Sequence, residues 1–369
     1  MKNRDNERGI SLINLVLICL IVIALIIVAF LLLERNRIMS SNDIGNDYEE
    51  SVVVRRTEKR NRVAGNNEII IDLNDVNVNK AEENNTNSYA ENKYYYNQLN
   101  GSAKSMYNSL EKNIGYLKNG YKAIDLDINT ETAGDSFQSA WDAFELDHPD
   151  LFYVETTNLN LLTKTTTGLF GSVKYEYVIQ PKDNASYFTR TFGSEQEVEQ
   201  AITRVEAIAN NVASEANNKN SRYEKVKYVH DYIVDNAHYD QEETADNSTI
   251  YGLLVNNAAI CEGYAKGFKY LMDKLNIPCV IVYGEGIASD GSSEYHAWNE
   301  VQMEDGIWYA IDSSWDDPII IGSGRLTDEY KYKYFLVGSE NFSSSHIQQA
   351  DVSGTGQNFK YPELSTVNY

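Results

Sequence analysis

The stretch Ile260-Cys261-Glu262-Gly263-Tyr264-Ala265 decides the fold, because everything around it can be read as support for Cys261. Cys261 stands where a loop turns into a helix over about Cys261 to Leu275. At such a start the backbone N–H groups are unpaired and the helix dipole is positive, so a thiolate is stabilised there. The same N–H groups can hold the oxyanion of a tetrahedral intermediate. Gly263 and Gly267 thin one face of this helix and let another element approach closely.

Downstream, Cys279-Val280-Ile281-Val282-Tyr283 reads as a buried strand. Two further strand patterns, Tyr295 to Met303 and Ile307 to Ile311, flank Glu304-Asp305-Gly306, a hairpin signal. If that turn joins them, His296 and Asp312 face each other at the far end of the hairpin. Thiol chemistry needs such a base and a group that orients it. Each residue also has a plain reading. A cysteine at a helix start can be a small buried residue, a strand histidine a satisfied structural group, and an aspartate after a strand a turn residue. Cys279, after Pro278 in an apolar strand, is expected to be an inert core thiol. Of the other histidines, His148 before Pro149 reads as a helix stop. His230 and His238 read as surface or groove residues, and His346 as part of a polar loop.

Upstream, Tyr95, Leu99, Ala103, Met106, Tyr107, Leu110, Ile114 and Leu117 recur at helical spacing until Gly120. A second helix is expected over Ser136 to Leu146. Strands are expected at Leu151 to Glu155, Leu159 to Lys164 and Val173 to Ile179. Ser194 with Glu197, and Ser221 with Glu224, are capping boxes that open two more helices. Helices first, then a helix packed on an antiparallel sheet, give an α+β class.

The chain has 369 residues, a net charge of −22 and 42% hydrophobic residues, enough for a core. So acidic a protein lacks the clustered Lys and Arg that nucleic acid demands. Its three cysteines make no disulfide framework, since Cys19 lies in the apolar N-terminal run and leaves Cys261 and Cys279.

From Tyr223 to Pro318 the chain resembles the transglutaminase-like superfamily, in particular its bacterial surface proteins. The matching pieces are Lys227-Tyr228-Val229-His230-Asp231-Tyr232-Ile233, Tyr251-Gly252-Leu253-Leu254-Val255, Cys261-Glu262-Gly263-Tyr264-Ala265, His296-Ala297-Trp298-Asn299 and Asp312-Ser313-Ser314-Trp315-Asp316. More loosely the likeness runs from Tyr94 through Asp147-His148-Pro149 to Tyr361-Pro362-Glu363-Leu364. The resemblance implies a papain-like core with a triad of Cys261 as nucleophile, His296 as proton shuttle and Asp312 as the group orienting it. Tyr251 is then a candidate oxyanion donor, and Tyr264, Trp298 and Trp315 are candidate groove residues. An acyl-enzyme on an amide of a protein or of peptidoglycan peptides would pass to an amine in cross-linking or to water in hydrolysis. The alternative is a non-catalytic binding or assembly module that keeps the fold. No cofactor is expected. Animal transglutaminases use calcium, and no EF-hand spacing occurs here.

At the N-terminus, Leu15 to Leu33 is an unbroken apolar run of 19 residues, roughly 28 Å as a helix and close to the hydrocarbon thickness. Glu34, Arg35, Asn36 and Arg37 follow it in place of a small-residue cleavage site, so the reading is an uncleaved anchor. Lys2, Arg4 and Arg8 favour a cytoplasmic N-terminus and an exported C-terminal part. Arg8-Gly9-Ile10-Ser11-Leu12-Ile13-Asn14-Leu15 also resembles a type IV prepilin start, although Asn14 stands where that family has Glu. A pilin-like subunit cut after Gly9 is thus a third reading.

The expected organisation is a cytoplasmic tail over 1–9, a transmembrane helix over 10–33 and a flexible polar stalk over 34–92, with one strand-like run at Glu68 to Leu73. A helix-plus-strand part over 93–190, the catalytic domain over 191–340 and a C-terminal extension over 341–369 complete it.

Overall fold

The computed structural model describes residues 48–53, 93–120, 123–182, 185–240, 242, 244–318, 326–349 and 358–369. The described residues belong to one compact unit. The apolar run Leu15–Leu33, the prepilin-like start and the Glu68–Leu73 strand lie outside the described residues. Among the described residues no helix is long and apolar enough to cross a membrane.

The first layer comprises β1 (Tyr48–Val53), α1 (Gly101–Asn113), β2 (Ile124–Asp125), α2 (Phe137–Asp147), β3 (Leu159–Thr167) and β4 (Val173–Pro181). Its sheet has the order β1-β3-β4-β2 and antiparallel pairing throughout. β1 lies inside the expected stalk, where it forms an edge strand against β3. The periodic residues upstream of Gly120 behave as their spacing demands: Ala103, Met106, Tyr107 and Leu110 are buried on one face of α1. Gly120 ends that segment with φ at +69°, a conformation that glycine adopts without strain. The run Leu151 to Glu155 is buried at Leu151, Phe152 and Tyr153 but is not a strand. The turn after Pro149 winds it instead: Leu151 N donates to His148 O, Val154 N donates to Leu151 O, and one bridge joins Val154 to Phe188.

The second part runs α3 (Glu195–Asn217), α4 (Arg222–Asn236), β5 (His238–Tyr239), α5 (Ile250–Leu254), β6 (Ala258–Ala259), α6 (Cys261–Lys274), β7 (Cys279–Ile287), β8 (Ser293–Gln302) and β9 (Trp308–Ile311). It ends with α7 (Asp328–Lys331), β10 (Phe335–Val337), α8 (Ser339–Phe342) and β11 (His346–Gln348). Both capping boxes are present. Glu197 N donates to Ser194 Oγ at 3.3 Å and Glu224 N to Ser221 Oγ at 3.1 Å. The glutamates reach back one residue beyond the cap, to Gly193 N and Asn220 N. Each cap contributes about 1 kcal/mol.

The main sheet has the order β10-β9-β8-β7-β11, again antiparallel. β7 lies between β8 and the edge strand β11, and its Val280, Ile281 and Val282 are fully buried, each contributing roughly 1.5–3 kcal/mol. Helix α6 packs on this sheet, where Asn299 of β8 donates to Ala265 O and Val280 O. On its other side α6 is approached as its glycines require. A Cβ on Gly263 would collide with Asn247 O and one on Gly267 with the Leu253 side chain. A helix packed on an antiparallel sheet, with further helices beside it, is the expected α+β arrangement.

Candidate active site

Residues from α6 and four strands meet at one end of the sheet. Cys261 opens α6 and retains 8% of its exposure, whereas Cys279 in β7 retains 1% and burial pushes its thiol far up. The plain reading of Cys279 as a core thiol therefore holds. Ile260, the cap of α6, is extended and makes no side-chain bond, so the first N–H groups of the helix stay open to other partners.

The register pairs Asn299 with Ile311, which sets Asp312 opposite Trp298 and leaves His296 two residues along the same face. His296 and Asp312 thus meet across a diagonal instead of directly. His296 Nε2 lies 2.7 Å from Asp312 Oδ2, and both residues are buried. With Nε2 so engaged, Nδ1 is left for Cys261, which shares a hydrogen bond with the ring. Burial pulls the His296 pKa down, but the Asp312 charge, the Asp312 hydrogen bond and Cys261 outweigh it and carry it up to about 10. Asp312 moves the other way. Burial raises it, yet the His296 charge and the bonds from two histidines hold it well below the usual carboxylate range. His296 is therefore the cationic member at neutral pH and Asp312 the anionic one.

The second histidine is His346, read from the sequence as a loop residue. It lies on β11, is buried, and places Nε2 3.1 Å from the same Asp312 Oδ2. The other oxygen, Oδ1, accepts from Ser314 N, Ser314 Oγ and Trp315 N at 3.1, 2.7 and 3.1 Å. The tight turn Asp312-Ser313-Ser314-Trp315 thus folds back onto its own first carboxylate. A signal for the second histidine was present in the strand sequence Tyr283-Gly284-Glu285-Gly286. Alternate glycines in a buried strand mark a close approach.

The four groove candidates fare differently. Trp315 covers the His296 ring at 4.9 Å between centroids, over the bare backbone of Gly286. Trp298 is buried behind the pair, packed on His346 and Phe342, and supports the sheet. Tyr264 is also buried, and its hydroxyl donates to Asp317 at 2.6 Å. Tyr251 packs its ring on Phe152 and Phe192. The tyrosine set against Cys261 is Tyr239, which the sequence reading passed over. β5 runs parallel to β6 with Tyr239 opposite Ala259, and the Cys261 backbone N–H donates to the Tyr239 phenol oxygen. Burial first, and then the neighbouring Cys261, push that phenol above the ordinary tyrosine range.

Residues 206–313 match the family model of the transglutaminase-like superfamily, and this span holds Cys261, His296 and Asp312. It is a transglutaminase-like core. The core covers less than a third of the chain, and β10 and β11, which complete its sheet, lie beyond it. No curated protein matches the chain. Among solved structures, the chain is similar to a TGase at 16% identity, over 66% of this chain and 62% of that one, with a TM-score of 0.29. It is also similar to the periplasmic domain of TgpA from Pseudomonas aeruginosa, at 13% identity over 39% and 55% with a TM-score of 0.25. A Cytophaga hutchinsonii protein provisionally assigned as a cysteine protease matches at 13% identity over 44% and 68%, with a TM-score of 0.26. At such scores these likenesses carry no argument, and the transglutaminase-like core rests on the sequence match.

Among the described residues the one set of histidine, cysteine and carboxylate groups spaced for a metal ion is His296, Asp312 and His346, whose donor atoms lie within 4.8 Å of one another. Hydrogen bonds at 2.7 and 3.1 Å already join these atoms.

Proposed function

We propose that the chain is a membrane-anchored, extracytoplasmic cysteine enzyme that forms an acyl-enzyme on an amide of a protein or of cell-wall peptides. The observation that carries this reading is the buried His296–Asp312 pair at 2.7 Å, with the His296 ring bonded to Cys261 at the start of α6. The Cys261 thiolate adds to the amide carbonyl carbon, and the oxyanion forms beside the first N–H groups of α6. Tyr239 is the side-chain donor for that oxyanion. As the C–N bond breaks, His296 gives its Nδ1 proton to the leaving amine and a thioester remains. Water or a second amine then attacks the thioester, its proton passes to His296, and the C–S bond breaks to restore the thiolate. Asp312 keeps the imidazolium oriented throughout.

The test is alkylation of the full chain by iodoacetamide across pH, with the label mapped. Cys261 is expected to react at pH 6 at least tenfold faster than an ordinary thiol of pKa about 8.5, and His296→Ala to remove the advantage. Reaction at the ordinary rate overturns the enzyme reading. Incorporation of a fluorescent primary amine into a glutamine peptide, absent in Cys261→Ala, separates cross-linking from hydrolysis. The anchor is tested on intact cells, where added protease is expected to release a fragment that contains Cys261. Survival of the whole chain there argues against export.

A further inference from the structure

Asp312 Oδ2 is shared by two histidines that come from strands on opposite sides of β7. The register explains how they meet. His296 on β8 lies opposite Gly284, His346 on β11 lies opposite Gly286, and both glycines sit on the same face of β7. That face carries no side chain between them, so the two rings approach to 5.5 Å. A Cβ on Gly286 would press on Trp315 at 2.8 Å and on His296 at 3.1 Å. The strand between the two histidines is stripped where the second must reach across.

The state of His346 follows from its neighbours. Phe342 stacks on its ring at 3.8 Å and 12°, and Trp315, Trp298 and Tyr334 close the other sides. The titratable groups set against it are Asp312, His296 and Tyr334. Burial keeps the ring neutral by lowering its pKa, against the pull of Asp312. Because an ionised carboxylate only accepts, the Nε2 of His346 carries the proton and Nδ1 accepts a hydrogen bond from Ser345 Oγ at 2.8 Å. Asp312 then has five donors, and its plane is fixed by contacts on both oxygens.

We infer that His346 is a positioning residue of this site: its neutral ring donates to Asp312 and holds the carboxylate in the orientation that makes His296 an effective partner for Cys261. This rests on the triad reading above. The chain of contacts is Ser345, His346, Asp312, His296, Cys261, so the reactive thiol is governed from a strand beyond the family-matched span 206–313.

The experiment measures the pH profile of Cys261 alkylation in full-chain wild type, His346→Phe and His346→Gln, with folding checked by near-UV circular dichroism. His346→Phe keeps the aromatic stack on Phe342 but removes the donor. It is expected to slow alkylation at pH 6 about tenfold and to move the acid limb up by about one pH unit. His346→Gln restores an N–H donor and is expected to return within about threefold of wild type. A purely structural role would not be rescued by glutamine while phenylalanine packs well. A His346→Phe profile that matches wild type overturns the inference, and so does a folded His346→Gln no better than His346→Phe. If wild-type Cys261 itself reacts as an ordinary thiol, the triad reading fails and takes this role with it. The wild-type curve thus tells the two failures apart.

Discussion

Two buried histidine–aspartate pairs stand side by side in this fold, and their aspartates are four residues apart. His296 meets Asp312 at 2.7 Å, and His230 of α4 meets Asp316 at 3.0 Å. All four side chains are buried, so burial does not distinguish the pairs. The number of donors around the carboxylate does. Asp312 accepts from five groups, whereas Asp316 accepts from His230 and from Tyr334 N. Burial therefore wins at Asp316, which is pushed up to about 6, and loses at Asp312, which stays ionised. The surroundings of the rings differ as well. His230 is packed among Tyr332 and Phe335 and joins α4 to the turn after β9, while His296 faces Cys261. The same residue types serve as a bolt in one place and as a charged, oriented imidazolium beside Cys261 in the other.

The strongest way to break this contrast is to remove each histidine in turn. His296→Ala is expected to lower turnover, or the fast alkylation that stands for it, by about 10²–10⁴-fold. His230→Ala is expected to leave the alkylation rate of the folded fraction within about twofold. Its cost appears as stability, about 3–5 kcal/mol by urea titration, because Asp316 stays buried without its partner. Equal losses of reactivity in both variants would erase the distinction.

A smaller effect tests Tyr239 against Tyr251. Tyr239→Phe removes the phenol beside the Cys261 N–H and is expected to lower kcat about 10-fold or more, as loss of one oxyanion donor does. Tyr251→Phe, whose ring is held by Phe152 and Phe192, is expected to leave kcat unchanged. The reverse ranking would restore the assignment made from sequence.

Next is the pH dependence. The folded pKa of His296 lies above its unfolded value of about 6.5, so its pairing contributes in full below that pH and is lost as pH rises through about 10. The stability gap between wild type and His296→Gln is thus expected to narrow from pH 6 to pH 10 in urea titrations. A gap that widens contradicts the assigned charge. A last effect concerns Glu300, buried on β8, accepting from Gln348 at 2.6 Å and pushed up to about 8 by burial. A carboxyl whose folded pKa is raised destabilises the fold as pH rises from about 4.5 to 8, by at most about 1.4 kcal/mol per pH unit. Glu300→Gln is expected to flatten that slope, read as the change in Tm between pH 5 and pH 8.

Local signals carry most of what is legible in the sequence. Ser194, Ser221 and the glycine at 306 act within four residues of themselves, and the helices and hairpin they announce are where they were expected. Cys261, His296 and Asp312 were legible for another reason: their motifs resemble a family in order and spacing. What stayed hidden depends on contacts made far along the chain. Leu151 to Tyr153 has a strand's composition, but the bend after Pro149 and a lack of ladder partners decide otherwise. His346 lies in a three-residue strand among polar residues, and its pairing with β7 spans some sixty residues. Tyr239 is likewise placed by a two-residue parallel pairing that no periodicity announces.

The position of β11 has a consequence for how the protein matures. Its residues form the edge of the sheet, and the chain beyond them folds back so that Phe359 packs on Tyr95 and Leu364 bridges to Trp308. A growing polypeptide that has released α6, β8 and β9 already holds a cysteine, a histidine and an aspartate, yet Asp312 still lacks its donor from His346. On the proposed mechanism, the donor set of Asp312 is then complete only after β11 has been made.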